Sequence, residues 1–201
     1  MARRKVDVRR DEILRATCDE VVKRGFANTR AADVATALGV STGLIFYHFE
    51  SKDALLSAAF AYAAERDLER LDAAAGGTGS ALRRLARILT MYGPEGVGAG
   101  WALWIDAWAA ALRSPEMAEV SRQLDVRWKD TVAAVIAQGV AAGEMTCEDP
   151  GGAAWRITAM IDGLAVQATV HEGVLSKRQI HEWVRATAAR ELAVEPRDLR
   201  G

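Results

Sequence analysis

The sequence contains few cysteines and no long apolar run, and both shortages exclude classes of protein. Its two cysteines, Cys18 and Cys147, lie far apart and form no CxxC pair, so neither a disulfide framework nor a zinc site is indicated. No apolar run approaches the roughly 18 residues that a membrane-spanning helix needs. The basic start runs into Asp7, Asp11 and Glu12 instead of the apolar core of a signal peptide. We therefore expect a cytoplasmic protein that does not enter a membrane.

The histidines lack the spacing of a catalytic metal site. No glutamate stands three residues before His48, His171 or His181, so the Glu-x-x-His pairs of a helical di-iron enzyme are missing. HExxH is missing too, because the fourth residue after His171 or His181 is not histidine. Serine, histidine and aspartate are present, but nothing places them as a triad. We expect neither enzymatic activity nor a metal or cofactor.

Charge is distributed unevenly, although the formal net charge of the 201 residues is only −1. Residues 1–52 hold 10 Lys and Arg against 7 Asp and Glu, whereas the remainder holds 16 against 20. A basic first segment on an acidic body is typical of a nucleic-acid-binding module joined to another domain. The extreme N-terminus concentrates the positive charge in Arg3, Arg4, Lys5, Arg9 and Arg10. This arm either follows DNA, along the backbone or in the minor groove, or is a disordered solubilising tail.

The spacing of apolar residues and helix breakers predicts an all-α fold of about nine helices. Alternating β-branched runs are missing, which argues against a sheet. We expect the first helix to end at Gly25, the second to run from about Arg30 to Leu38 with Thr29 as its cap, and the fourth to extend from Ser51 to about Ala75. Later breaks are predicted at Gly93-Pro94, Ser114-Pro115, Asp149-Pro150 and Gly173.

The segment from Leu38 to Lys52 has the pattern of a helix-turn-helix. Gly39 stands where a residue with positive φ commonly ends a helix, and Ser41 can cap the next one. A turn of about three residues between two helices suits this motif. The third helix is expected to pack through Ile45, Phe46 and Phe49 and to leave Thr42, Leu44, Tyr47 and His48 on its other face. A purely structural corner is the alternative.

Residues 29–56 resemble the DNA-binding domain of the tetracycline-repressor (TetR) family. The shared features are Leu38-Gly39-Val40-Ser41, Gly43, Tyr47-His48-Phe49 and Ser51-Lys52. The resemblance implies a helix-turn-helix DNA-binding domain over residues 1–52 and a helical effector-binding and dimerisation domain over residues 53–201. The DNA-binding residues are then Arg30, Ser41, Thr42, Gly43, Leu44, Tyr47, His48 and Lys52, of which Thr42, Gly43 and Leu44 face base edges and Tyr47, His48 and Lys52 contact phosphates. Phe46 stands where many members have tyrosine, so it offers no hydroxyl contact.

A stripe of tryptophans is the second candidate site. Trp101, Trp104 and Trp108 recur at helical spacing, and Trp128 comes from a neighbouring helix. They either pack in the core or cage a cationic ligand by cation–π attraction, with Asp106 or Asp162 nearby. The stretch from Trp101 to Val184 also resembles, more loosely, the C-terminal domain of the betaine/choline-type branch of the TetR family. This likeness favours a small-molecule effector, for which the candidate residues are Trp101, Trp104, Trp108, Trp128 and Asp162.

The last two long helices are predicted to form a homodimer. One face offers Trp155, Ala159, Gly163 and Val166, and the other offers Ile180, Trp183, Val184 and Thr187 at helical spacing. A two-fold dimer would bring its paired reading helices to successive major grooves, roughly 34 to 36 Å apart. The sequence therefore predicts a repressor that an effector releases from a pseudo-palindromic DNA operator. The alternative is a helical interaction or adaptor protein without DNA activity.

Overall fold

The fold is all-α in the part of the chain that the structure describes. The computed structural model describes residues 2–92, 99–171 and 173–200, with side chains from residue 10 onward except that of residue 99. These residues form nine α-helices and one short 3-10 helix, and no strand occurs among them. The helices are α1 (Ala2–Arg24), α2 (Ala31–Leu38), α3 (Thr42–His48), α4 (Lys52–Ala75), α5 (Ala81–Tyr92), α6 (Ala99–Ala111), α7 (Pro115–Ala141), α8 (Pro150–Val170) and α9 (Lys177–Leu192), followed by the 3-10 helix Pro196–Leu199. The predicted fold class is confirmed.

Contacts along the chain divide it into two compact units. The first unit consists of the residues up to Asp67 together with Ala102–Leu124, and the second consists of Leu68–Trp101 together with the residues from Asp125 onward. Helices α4, α6 and α7 each contribute to both units. The predicted boundary between a DNA-binding domain (residues 1–52) and an effector-binding domain (residues 53–201) is a division by function. Units defined by contacts do not test it, and it stays a prediction. Within the described ranges no helix is both long and apolar enough to cross a bilayer.

In the first unit, the three N-terminal helices and the start of α4 share one apolar core. Ile13 of α1, Val34 of α2, Ile45 of α3 and Leu55 of α4 are each at most 2% exposed. Burying such a side chain stabilises the fold by roughly 1.5–3 kcal/mol relative to leaving it exposed. The core therefore fixes which face of α3 is turned inward.

The turn between α2 and α3 follows from local chemistry. Gly39 has a φ of +66°, the left-handed conformation that glycine adopts without strain, and α2 ends there. Ser41 Oγ accepts the backbone N–H of Leu44 at 3.3 Å and caps α3. Both predictions for this turn are confirmed.

The start of α2 differs from the prediction. Thr29 is fully buried and its Oγ1 donates to the carbonyl of Gly25 at 2.8 Å, so its hydroxyl is not available as the cap. Arg30 occupies the N-cap position, and its backbone N–H donates to Asp33 Oδ2 at 2.9 Å. The cap of α2 is thus a carboxylate from within the helix, and it leaves the Arg30 side chain exposed.

The second unit is built on α5, α8 and α9. Leu85 and Ile88 of α5 and Ile157 and Ile161 of α8 are at most 1% exposed, and α9 packs against both helices. The apolar faces of the three helices are therefore turned toward one another.

The predicted breaks in the later part of the chain fall where helices begin or end. Helix α7 begins at Pro115 and α8 at Pro150, because proline fits the first helical turn but not the interior. Asp149 caps α8 by accepting the N–H of Gly152 at 2.8 Å. Gly173, between α8 and α9, has a φ of +81°. The break predicted at Gly93-Pro94 lies outside the described residues.

Candidate functional site

Helix α3 presents one face to solvent and buries the other. Ile45 is fully buried and Phe49, directly after the helix, is 4% exposed, and both belong to the core of the first unit. Tyr47, on the other side, is 76% exposed. Of the remaining DNA-binding candidates, Arg30, Ser41, Thr42 and Gly43 are exposed, and Leu44, His48 and Lys52 are half-buried. A helix with this orientation can meet a ligand through its Thr42–Tyr47 side.

Phe46 lies on the exposed face, which corrects the prediction that it packs inward. Its side chain is 49% exposed. The surrounding helices cover Ile45 but not Phe46, which lies about 100° further round α3. Phe46 lies one turn after Thr42 and therefore on the same strip of the helix. The exposed surface thus contains an apolar ring next to Tyr47.

Arg10 ties the end of α3 to α1. Its guanidinium lies 4.4 Å from the centre of the Phe49 ring, and its Nη1 donates to the backbone carbonyl of His48 at 3.0 Å. A cation at the last carbonyls of a helix also opposes the partial negative charge there. Arg10 therefore holds the end of α3 in place instead of extending as part of a free arm. The side chains of Arg3, Arg4, Lys5 and Arg9 lie outside the described residues.

Lys52 has a hydrogen-bond partner inside the protein. Its Nζ donates to the carbonyl of Ala27, in the loop between α1 and α2, at 3.3 Å. This contact accounts for a lysine in the first turn of α4, where a cation is unfavourable to the helix dipole. A phosphate is therefore not needed to explain Lys52, and the phosphate contact stays a prediction.

An aromatic cluster in the second unit surrounds Tyr92, the last residue of α5. Its ring is stacked on Trp128, with ring centres 4.5 Å apart, and it meets Trp101 nearly edge-on at 5.3 Å. The Tyr92 hydroxyl donates to Asp162 Oδ1 at 2.7 Å. Three of the five effector candidates, Trp101, Trp128 and Asp162, are thus connected through one tyrosine.

A buried lysine completes this cluster. Lys129 is only 4% exposed; its Nζ pairs with Asp125 and lies 4.0 Å from Asp162 Oδ2 and 4.4 Å from the centre of the Trp155 ring. Burial raises the pKa of Asp162, against the opposing effects of the Tyr92 hydrogen bond and the Lys129 charge. The two carboxylates and one ammonium carry a formal charge of −1, which favours a cation as ligand.

Trp128 contributes a donor as well as a ring. It is 6% exposed, and among the described residues no acceptor lies within hydrogen-bond distance of its Nε1. A buried N–H without an acceptor is unfavourable by about 1–3 kcal/mol. The Nε1–H of Trp128 is thus a buried donor that no described residue satisfies.

Trp104 and Trp108 belong to the first unit and make different contacts. Trp104 meets Phe60 of α4 edge-on at 5.0 Å and donates its Nε1–H to Asp67 at 3.2 Å, and Trp108 lies 6.1 Å from Trp104. Asp106, which the sequence offered as a carboxylate near the tryptophan cage, instead accepts the backbone N–H of Phe26 at 2.6 Å. We therefore leave these three residues out of the proposed effector site.

Tyr92 and Lys129 were missed by reasoning from the sequence. Asp125 and Lys129 lie four residues apart on α7, a spacing that indicates an ion pair on one helix face but not its burial. Tyr92 gave no signal, because its partner Asp162 is 70 residues away in the chain.

The predicted dimer face is only partly exposed. Trp155 of α8 and Trp183 of α9 are 51% and 44% exposed, and Ala159 and Gly163 are exposed too, whereas Val166 and Thr187 are half-buried. Ile180 and Val184 are each 1% exposed. The prediction that these two residues lie on the dimer face is therefore wrong. Their side of α9 packs inside its own chain and is not available to a partner.

Two family profiles match the chain. Residues 81–193 match the family described as BetI-type transcriptional repressor, C-terminal, and residues 13–59 match the bacterial regulatory proteins of the tetR family. The first match alone covers more than half of the 201 residues. The protein belongs to the BetI-type branch of the TetR family. Both resemblances drawn from the sequence are confirmed.

Individual relatives of this TetR-family protein support the same assignment. The BetI regulator of Escherichia coli O127:H6 is 26% identical over 184 residues, 89% of this chain and 91% of that protein. BetI of Stenotrophomonas maltophilia is 28% identical over 123 residues, and the match spans 63% of that protein. A transcriptional regulator from Saccharomonospora viridis, solved in complex with choline, has a TM-score of 0.81 and 26% identity, covering 92% of this chain and 98% of that one.

The family assignment fixes the general function. As a BetI-type TetR-family member, the protein is a DNA-binding transcriptional repressor and not an enzyme. This agrees with the function predicted from the sequence and disfavours the adaptor without DNA activity.

Proposed function

We propose that this repressor acts as a homodimer, holds a pseudo-palindromic operator through its paired α3 helices, and releases the operator when a small organic cation binds in the second unit. The observation that carries the proposal is the orientation of α3. Ile45 is fully buried while Tyr47 is 76% exposed, so the helix offers its polar and aromatic side to a partner. The width of a major groove admits such a helix.

The proposed contacts follow from exposure and residue type. Thr42, Gly43 and Leu44 face base edges, and Tyr47, His48, Lys52 and Arg30 bind phosphates or neighbouring groups, with Ser41 at the start of the helix. Phosphate contacts fix the register on DNA, whereas contacts to base edges select the sequence. The half-exposed ring of Phe46 is suited to the methyl group of a thymine.

A second copy of the chain is the proposed partner of the α8–α9 face. Trp155 and Trp183 each expose about half of their large apolar surface, and Ala159 and Gly163 leave room for close approach. Isologous two-fold pairing would bury these residues against their own copies. It would also bring two reading helices to the same duplex, which one subunit alone cannot do.

The proposed effector is a small ammonium compound with an oxygen, of which choline is the first candidate. The Saccharomonospora viridis regulator, 26% identical over most of both chains, is a choline complex. In the present chain, the rings of Trp101 and Trp128 and the Asp162 carboxylate attract a positive charge, and Trp128 Nε1 can donate to a hydroxyl.

The proposed binding to an operator is tested by selecting bound duplexes from a pool of random DNA sequences. The expected product is a site with two inverted half-sites, bound by the wild type and lost in the Tyr47→Ala, Lys52→Ala double variant. Lys177→Ala is the matched control, because it removes the same charge from α9 without touching α3. If the double variant is a dimer and retains the selected duplex, the proposed reading surface is wrong.

The proposed release by an effector is tested by titrating choline chloride into the free protein and into its DNA complex. We expect choline and operator to weaken each other's binding by about 1–3 kcal/mol, because linkage is reciprocal. Asp162→Asn should bind choline more weakly, and its operator affinity should fall less when choline is added. Operator affinity that stays constant at saturating choline would exclude choline as the releasing effector.

A further inference from the structure

Asp106 makes a long-range contact that the proposed function does not use. It lies on α6, and its Oδ2 accepts the backbone N–H of Phe26, which is 80 residues away in the chain, at 2.6 Å. Hydrogen bonds to a carboxylate are shorter and stronger than neutral ones. The bond joins α6 to the loop between α1 and α2, and thus to the helices that carry α3.

The loop is shaped for this carboxylate. Gly25, just before Phe26, has a φ of +77°, and a Cβ there would lie 3.1 Å from Asp106 Oδ2. Phe26 is 2% exposed and meets Phe60 of α4 edge-on at 6.1 Å. The polar contact therefore stands beside an aromatic contact that fixes the same loop.

Charged groups surround the contact in a partly open cavity of about 230 Å³. Its lining includes Lys52 and Arg113 as well as Asp53 and Asp106. Two cations thus offset the acidic charge near Asp106. Because the cavity is large enough for water, removing the carboxylate would leave the Phe26 N–H hydrated and not stranded in an apolar space.

We infer that Asp106 is a positioning residue for operator recognition: its bond to Phe26 holds the DNA-reading helices in one orientation on α6. This rests on the proposed dimer, in which two readers must fit half-sites at a fixed spacing.

The test measures binding to operators of altered spacing, starting from the duplex selected from the random pool. Inserting or deleting two base pairs between the half-sites shifts one of them by about 7 Å and rotates it by about 70°. Wild type should bind these duplexes at least about tenfold more weakly than the selected one, because a half-site contact is lost. Asp106→Ala should reduce the difference to within about threefold, whereas Asp106→Asn, which keeps an acceptor oxygen, should retain it.

Controls separate positioning from folding and charge. Asp53→Ala removes a carboxylate that lines the same cavity and should keep the wild-type spacing preference. Hydrogen exchange at the Phe26 amide should accelerate in Asp106→Ala and not in Asp106→Asn. If Asp106→Ala does not fold, Asp106→Ser, whose shorter side chain cannot reach the Phe26 N–H, should relax spacing in the same way.

The inference is overturned if a folded, dimeric Asp106→Ala protein keeps the wild-type spacing preference, or if wild type itself has none. A wild type that binds no duplex as a dimer would instead overturn the proposed function. The two failures are therefore distinguishable in one set of binding curves.

Discussion

Replacing Phe46 by alanine distinguishes a residue of the reading surface from a residue of the core. Ile45 and Phe46 are neighbours on α3, yet Ile45 is fully buried and Phe46 is 49% exposed. Truncating a buried isoleucine to alanine lowers the free energy of unfolding by about 2–5 kcal/mol. Phe46 buries about half of its side chain, which corresponds to about half of the roughly 3 kcal/mol of complete burial. We therefore expect Phe46→Ala to destabilise the protein by about 1–1.5 kcal/mol.

The assay compares Ile45→Ala with Phe46→Ala in the full chain. Two compact units need not unfold together, so urea unfolding should be accompanied by hydrogen exchange at the amides of α2 and α3, which reports the local free energy. Operator binding should rank the variants differently from stability. Phe46→Ala should lose about 1–3 kcal/mol of operator affinity while most of its stability remains.

Two outcomes would refute this reasoning. If Phe46→Ala destabilises the first unit as much as Ile45→Ala does, then the ring belongs to the core. If it leaves operator affinity unchanged, then the exposed ring does not contact DNA. Phe46→Leu is a further control, because it keeps an apolar side chain of smaller size.

Three further predictions concern charge, pH and assembly. Operator affinity should fall steeply with salt, with a log–log slope of about −9 if the dimer neutralises roughly ten phosphates; a flat response in a salt series would contradict backbone binding. Because burial raises the pKa of Asp162, its carboxylate takes up a proton at a higher pH than an ordinary aspartate. In titrations between about pH 4 and pH 7, the affinity of the wild type for choline should therefore fall toward the acid end, whereas that of Asp162→Asn should be low throughout. Equal pH profiles for the two proteins would exclude Asp162 from the site. Trp183→Ser should shift the dimer toward monomer in sedimentation, whereas Leu112→Ser, which changes an apolar residue 81% exposed in the turn just after α6, should not. A stable Trp183→Ser dimer would place the interface elsewhere.

Features that depend on nearby residues could be predicted from the sequence. Gly39 and Ser41 end one helix and begin the next through their own backbone and side-chain chemistry. Pro115 and Pro150 begin helices for a similarly local reason. Phe46 was misplaced because a helix of seven residues gives too short a pattern to locate its buried face, which the surrounding helices decide.

The tryptophans of α6 illustrate the limit of periodicity. Trp101 and Trp104 follow one stripe and lie about 4.5 Å apart along the helix axis. Even so, Trp101 contacts Tyr92 of α5, and Trp104 contacts Phe60 of α4. A stripe predicts which side of a helix is covered, but the covering residues come from distant parts of the chain.

Trp155 and Asp162 were assigned to different surfaces, the dimer and the effector site, although they lie seven residues apart and thus two turns along one side of α8. The structure joins them through Lys129, whose ammonium lies over the Trp155 ring and near Asp162. Half of the Trp155 side chain remains exposed. A cation bound at Asp162 would compete with Lys129 for that carboxylate, and the same ammonium supports the tryptophan on the proposed dimer face. The sequence contained both ends of this connection, but the buried lysine between them lies on α7, and only the packing of α7 against α8 brings it there.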